Sequence, residues 1–142
     1  MSTVRDLIKT RKREIFTINS SQTVYQALML MAEKNVGALP VMEERRLVGI
    51  LSERDYARKV ILKGASSLDT MVKKIMTPRL ISVDPQTSLE DCLDIMIQRH
   101  VRHLPILENE DMVDFISIGD LVKAILEYKN RLITELSSAE TT

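Results

Sequence analysis

Two Ser-x-x-Asp motifs, Ser52 to Asp55 and Ser117 to Asp120, carry the side chains of this chain best suited to bind a polar ligand. An ionised aspartate can accept several hydrogen bonds, and a serine hydroxyl can donate one. The same spacing is also typical of a helix N-terminus, where the serine accepts from a free backbone N–H and the aspartate lies near the positive helix end. Capping and ligand binding are therefore both open for each motif.

Arg54 stands inside the first motif, in the first turn of the helix that the motif would begin. A cation there opposes the helix dipole, at a cost of a few tenths of a kcal/mol or more. An anionic ligand would remove the conflict. A long side chain that extends into solvent is the alternative.

Metal and catalytic sites are not predicted. His100 and His103 form a His-x-x-His pair, but no further ligand completes a metal site. We expect His100 to end a helix and His103 to line a ligand cleft. No P-loop, no G-x-G-x-x-G and no nucleophile with a base at a recognisable spacing is present, so the sequence does not predict an enzyme.

Charge and composition weigh against nucleic acid and membrane partners. Lysine plus arginine and aspartate plus glutamate both number 20, so no overall field favours either partner. The basic run at 9–13 is either a solvated loop or a contact to phosphate or nucleic acid. The longest apolar run, at 27–32, is too short to span a bilayer. The single cysteine, Cys92, and the lack of a signal-peptide pattern lead us to expect a cytoplasmic protein.

The two motifs belong to a longer repeat. Residues 15–60 and 80–125 align without a gap at a constant offset of 65, with nine identical pairs. Two like units predict packing about a pseudo-two-fold axis, with each unit contributing to the same kinds of site.

Each repeat predicts an α/β unit of the order β-α-β-β-α. Capping patterns and helical spacing of apolar residues predict the first helix, and short apolar runs predict the strands. Asn35 and His100 would end the first helices in the left-handed conformation. The predicted strands are 15–18, 39–42 and 47–51, then 80–83, 104–107 and 112–116; the helices begin at Thr23, Ser52, Thr87 and Ser117.

One module of 1–142 is predicted, with repeat one and its lead-in helix at 1–65 and repeat two at 66–128. Lead-in helices are expected at 4–10 and 69–76. Residues 129–142 are expected to form a packing or dimerisation helix that ends in a disordered tail at 137–142.

The motifs together resemble a tandem pair of cystathionine-β-synthase (CBS) domains, also called a Bateman module. The resemblance covers roughly residues 4–126. It rests on Leu39-Pro40-Val41, Leu47 to Asp55, Met76-Thr77-Pro78, Val101 to Ile106 and Ile116 to Asp120.

This resemblance implies clefts between the repeats that bind an adenosine-containing ligand: AMP, ADP, ATP, NAD or S-adenosylmethionine. In each cleft the Ser-x-x-Asp of one repeat would face the opening strand and Leu-Pro strand of the other. Cleft 1 would contain Thr17, Ile18, Gly37, Ala38, Pro40, Ser117 and Asp120. Cleft 2 would contain Ser52, Arg54, Asp55, Ser82, Val83, Arg102, His103 and Pro105.

The two clefts should differ. Gly37-Ala38 leaves room for a bulky group, whereas Arg102-His103 fills space and adds positive charge. Asp114 stands where repeat one has Gly49, and we expect it to repel a phosphate.

The resemblance therefore implies a non-enzymatic sensor without a catalytic cofactor, assembled as a homodimer that signals to an unknown protein partner. The alternative is a structural or partner-binding homodimer whose nucleotide clefts are vestigial.

Overall fold

The computed structural model describes residues 2–11, 14–78 and 81–140, with the backbone alone at 139–140. The chain divides into two compact units. The Asp55 unit lies within residues 14–81, and the Asp120 unit joins residues 2–11 to the residues from 82 onward. In chain order the elements are α1 Val4–Thr10, β1 Ile18–Asn19, α2 Val24–Lys34, β2 Ala38–Glu43, β3 Arg46–Ser52, α3 Glu53–Tyr56, a π-helical segment Ala57–Ile61, α4 Val72–Ile75, β4 Thr77–Pro78, α5 Leu89–Arg99, β5 His103–Glu108, β6 Asp111–Ser117 and α6 Ile118–Glu140.

The sheet of the Asp55 unit has the strand order β1-β2-β3-β4. β1 pairs in parallel with β2, and the remaining neighbours pair antiparallel. In the Asp120 unit β5 and β6 form an antiparallel pair, and Val83 adds a parallel bridge to Ile106. The predicted β-α-β-β-α order is confirmed in both units.

Both hairpins use a turn with two left-handed residues. Glu44 and Arg45 have φ angles of 50° and 69°, and Asn109 and Glu110 have 52° and 71°. This turn geometry matches the right-handed twist of the flanking strands. The turns set the register at the near end of each hairpin, and a one-residue shift between Val41 and Met42 and between Ile106 and Leu107 then pairs Ala38 with Ser52 and His103 with Ser117.

The apolar face of the first helix in each unit supplies the core. In α2, Val24, Ala27 and Met31 are buried together with strand residues of β2 and β3. The matching positions of α5, Leu89, Cys92 and Met96, are buried as well. Helical spacing places each set on one face, with Cys92 as a small buried residue of α5.

The lead-in helices are exchanged relative to the sequence repeats. α1 belongs to the Asp120 unit, where Val4 N–H donates to the Thr87 carbonyl at 2.9 Å. α4 belongs to the Asp55 unit, where Val72 N–H donates to the Gln22 carbonyl at 2.8 Å. Val4 and Val72 are both fully buried. α1 therefore completes the core of repeat two, and α4 completes the core of repeat one.

Several element ends differ from those predicted. The opening strand of the first repeat is limited to β1, and the predicted 80–83 strand shows only the Val83 bridge, with Leu80 outside the described residues. α4 is shorter than 69–76. Ser88, and not Thr87, caps α5, because the Ser88 hydroxyl accepts the Asp91 N–H at 3.1 Å.

α6 contradicts the predicted disordered tail at 137–140, because the helix continues to Glu140. Opposite charges four residues apart, as at Glu127 and Arg131, favour the helix in the exposed part of α6 that leads into this segment. Thr141 and Thr142 lie outside the described residues.

Candidate ligand-binding half-sites

The Ser52 motif forms a reciprocal cap at the start of α3. Asp55 N–H donates to Ser52 Oγ at 3.1 Å, and the Ser52 N–H and hydroxyl both donate to Asp55 Oδ2 at 3.0 Å. The capping interpretation of this motif is therefore confirmed. Because the serine hydroxyl and one aspartate oxygen are already paired, the second oxygen, Oδ1, is the atom that decides what else Asp55 binds.

Asp55 Oδ1 is held by two donors of its own unit. The Thr77 hydroxyl donates to it at 3.2 Å, and Lys59 Nζ lies 3.2 Å away. Lys59 also donates to the Ile75 carbonyl at 2.9 Å. With its side chain only 11% exposed, Asp55 is a well-satisfied carboxylate with a cation beside it. Sequence reasoning missed Lys59 and Thr77 as its partners.

The Ser117 motif caps α6 in the same way but leaves its aspartate more accessible. Asp120 N–H donates to Ser117 Oγ at 3.1 Å, and Ser117 N–H donates to Asp120 Oδ2 at 3.2 Å. The Asp120 side chain is 24% exposed, and Arg11 Nη2 lies 3.4 Å from its Oδ2. The two motifs thus share a cap and differ in the cation that accompanies the carboxylate.

Arg11 also reaches Asp114, the residue expected to repel a phosphate. Arg11 Nη1 lies 3.5 Å from Asp114 Oδ2. The Arg11 side chain is only 13% exposed, so the solvated-loop interpretation is wrong for this member of the basic run; Lys12 and Arg13 lie outside the described residues. The signal that points to Arg11 is Asp114 itself, since a buried carboxylate requires a nearby cation.

A backbone hydrogen bond joins the start of each Leu-Pro strand to the second helix of the same unit. Glu53 N–H donates to the Gly37 carbonyl at 3.1 Å, and Ile118 N–H donates to the Arg102 carbonyl at 2.8 Å. The residue that precedes each strand is therefore next to the Ser-x-x-Asp cap of its own unit.

The other predicted site residues divide into exposed and buried groups. Thr17, Gly37, Arg54, Ser82 and Arg102 are exposed. Ile18, Ala38, Pro40, Val83 and Pro105 are buried in β1, in β2 and β5, and at the Val83 bridge. The first group can offer side chains or open backbone to a ligand, and the second can offer only the wall behind it.

His103 is half-buried and stacks on Phe115, with ring centroids 5.3 Å apart. Burial lowers the pKa of His103, which nearby Asp120 opposes and Arg102 reinforces. The imidazole is therefore uncharged at neutral pH and offers an aromatic surface beside the Asp120 motif.

Among the described residues, no cluster of three or more His, Cys, Asp and Glu side chains could hold a metal ion. No helix in this part of the chain is both long enough and apolar enough to cross a bilayer. A groove of about 460 Å³ lies in the Asp120 unit between α1 and α6, lined in part by Leu7, Leu89, Tyr128 and Leu132. It contains none of the predicted ligand residues.

Comparisons with known proteins agree with the duplicated architecture. The sequence model of the CBS domain matches residues 3–62 and 72–127. CBS domain-containing protein YhcV of Bacillus subtilis is 37% identical over 121 residues, which are 85% of this chain and 84% of that protein. A CBS-domain protein structure from Burkholderia ambifaria is 42% identical with a TM-score of 0.85, covering 89% of this chain and 95% of the other. The structure of CBSX2 of Arabidopsis thaliana in complex with AMP is 27% identical with a TM-score of 0.76, covering 91% and 99%.

Proposed function

Because this chain is a tandem pair of CBS domains and belongs to the CBS domain family, we propose that it is a regulatory module that binds an adenosine-containing ligand. The observation that carries the proposal is the capped Ser-x-x-Asp motif, present once in each unit beside the start of a Leu-Pro strand. AMP is the first ligand to test, because the related CBSX2 has a structure in complex with AMP. ADP, ATP, NAD and S-adenosylmethionine share the adenosine group.

The proposed chemistry assigns the ribose to the two aspartates. A carboxylate can accept hydrogen bonds from both vicinal hydroxyls of a ribose, and Asp120 is the more accessible of the two. Cleft 1 would combine Ser117 and Asp120 with Thr17, Ile18, Gly37, Ala38 and Pro40. Cleft 2 would combine Ser52, Arg54 and Asp55 with Ser82, Val83, Arg102, His103 and Pro105.

The proposed output is a change in the protein rather than in the ligand. A ligand that contacts both repeats stabilises one of their arrangements, and a partner that prefers this arrangement then binds more tightly. We propose that the module acts without catalysis, as a cytoplasmic homodimer, and that a protein partner responds to this change.

A thermal-shift panel with adenosine, AMP, ADP, ATP, NAD and S-adenosylmethionine tests the proposal. Binding to the folded state alone must raise the melting temperature in a dose-dependent way. We expect at least one adenosine ligand to do so, and GMP serves as the control for the base. No shift with any adenosine ligand would contradict the proposal.

A partner-binding homodimer is the second candidate, favoured by the exposed apolar side chains of α6. Leu126, Ile133 and Leu136 are all more than half exposed, and a solvent-exposed helical extension is marginal in water unless something packs on it. Sedimentation of the full chain and of a chain that ends at Tyr128 would test this role. A monomer in both cases would contradict the proposal of a homodimer.

A further inference from the structure

Arg11 and Met76 occupy matching places in the two units. Each is the C-terminal capping residue of a lead-in helix, Arg11 for α1 and Met76 for α4, and they are separated by the repeat offset. Each approaches the same position of its hairpin. A Cβ on Gly49 would lie 2.7 Å from Met76 Sδ, and Arg11 Nη1 lies 3.5 Å from the Asp114 carboxylate. The contact between the capping residue and the hairpin is therefore apolar in the Asp55 unit and ionic in the Asp120 unit.

The ionic version changes the charge around the Ser-x-x-Asp motif. Asp114 is 7% exposed, and a carboxylate so buried is costly unless a cation is near. Arg11 supplies that cation and divides it between two carboxylates, since its other nitrogen lies 3.4 Å from Asp120. Within the described residues, Arg11 Nη1 makes no hydrogen bond, so its pairing with Asp114 is electrostatic.

Positive charge is more abundant near Asp55 than at the matching positions near Asp120. Asp55 has Lys59 at 3.2 Å, and the exposed Arg54 precedes it in the chain. Gly119 and Ala124 stand at the matching places near Asp120. At these matching positions the Asp120 unit has two fewer cations and one more carboxylate than the Asp55 unit, and Arg11 lies beside both that carboxylate and Asp120.

We infer that Arg11 is a specificity-determining residue of the Asp120 half-site, where its positive charge offsets Asp114 and Asp120 and so sets how much negative charge an adenosine ligand can carry. The inference rests on the proposed function. Arg11 sets the charge that a ligand meets beside Asp120, because it balances Asp114 and Asp120 together. Adenosine, AMP and ATP form a series of rising negative charge, and the Asp120 half-site should favour the early members while the Asp55 half-site tolerates the later ones.

The test is the ratio of AMP affinity to adenosine affinity, measured by calorimetry in an Asp55→Asn background so that the Asp120 half-site reports alone. Arg11→Met should lower this ratio roughly tenfold, because it removes the positive charge that lies beside Asp114 and Asp120 and makes the half-site less favourable for an anion. Asp114→Asn should raise the ratio by a similar factor. The double variant Arg11→Met with Asp114→Gly reproduces the pair of the Asp55 unit and should return the ratio to within about threefold of its starting value.

The control is Arg5→Met, which removes another arginine of the N-terminal segment that pairs with Glu108 in the same unit. It should leave the ratio unchanged. A ratio that stays within about twofold in both Arg11→Met and Asp114→Asn, with adenosine and AMP still bound, would overturn this inference alone. Loss of all binding in the Asp55→Asn background would also overturn it. Failure of every adenosine ligand to bind the wild-type chain would overturn the proposed function and this inference together.

Discussion

At the scale of single residues, the Ser-x-x-Asp caps could be predicted from sequence and the partners of their aspartates could not. A cap depends on residues three apart, so the roles of Ser52 and Asp55 follow from local spacing. The contact of Arg11 with Asp120 joins residues 109 apart, and no local pattern encodes such a distance. Repeat alignment offered an indirect signal, since Arg11 falls on Met76 and Asp114 on Gly49.

Gly49 is required by a close approach rather than by an unusual backbone angle. A Cβ there would lie 2.7 Å from Met76 Sδ and 2.8 Å from the Thr77 carbonyl oxygen. Moving the backbone carbonyl of Thr77 would disturb the strand. We therefore expect Gly49→Ala to lower the free energy of unfolding by roughly 1–3 kcal/mol in urea denaturation.

Gly119→Ala is the matched control. A Cβ at Gly119 meets only Ser117 Oγ at 3.7 Å, and alanine in a helix is favoured over glycine by up to about 1 kcal/mol. This change should therefore be neutral or stabilising. Equal losses in the two variants would contradict the packing argument.

His103 should make stability depend on pH. Burial lowers its pKa in the folded state, so its contribution is present above the unfolded pKa of about 6.5 and is lost as the pH falls. Between pH 7.5 and 5.5, His103→Gln should therefore lose less melting temperature than the wild type, although its Phe115 stacking is gone. A His103→Gln slope as steep as the wild type would contradict the assignment.

At the scale of elements, helix ends were predictable wherever the ending is made by neighbouring residues. Asn35 and His100 adopt the left-handed conformation expected of them, with φ of 54° and 56°. The α5 cap was misplaced by one residue because Thr87 and Ser88 are both good caps, and the choice depends on the path of the preceding turn. The length of α6 was underestimated because Ser137-Ser138 resembles a loop in composition.

The cap of α5 gives a direct measurement at this scale. Ser88→Ala removes the hydroxyl that accepts the Asp91 N–H, and we expect a loss of about 1 kcal/mol in unfolding free energy. Thr87→Ala is the control, because the Thr87 hydroxyl makes only a 3.4 Å contact to Asp84. A larger loss in Thr87→Ala than in Ser88→Ala would restore the cap first expected.

At the scale of the whole molecule, the exchange of lead-in helices is the feature that the order of the sequence conceals. Chain order groups α1 with the repeat that follows it, but α1 belongs to the Asp120 unit. The exchange depends on hydrogen bonds between distant segments, such as Arg5 N–H to the Pro85 carbonyl at 2.9 Å. Repeat periodicity predicts that two units exist, and it carries no information about which lead-in helix completes which core.

Cys92 can report the exchange. Its thiol is fully buried, and burial raises its pKa to about 11, so thiol reagents should react only after local opening. Val4→Ala should cost roughly 1–3 kcal/mol and accelerate Cys92 labelling, because Val4 lies in the same unit.

Val72→Ala is the matched change in the Asp55 unit, where Val72 is equally buried. It should lower stability by a similar amount with less effect on the Cys92 labelling rate. Faster labelling in Val72→Ala than in Val4→Ala would contradict the exchanged arrangement.

Calorimetric titration of AMP into the wild type, Asp55→Asn, Asp120→Asn and the double variant tests the central claim most directly. Asparagine keeps the size of the side chain and removes the charged acceptor, so each single variant should weaken its own site by roughly 1.5–3 kcal/mol and the double variant should lose binding. Asp94→Asn, on the exposed side of α5, should bind like the wild type. AMP binding of unchanged affinity in the double variant would contradict the assignment of the ligand to the Ser-x-x-Asp motifs.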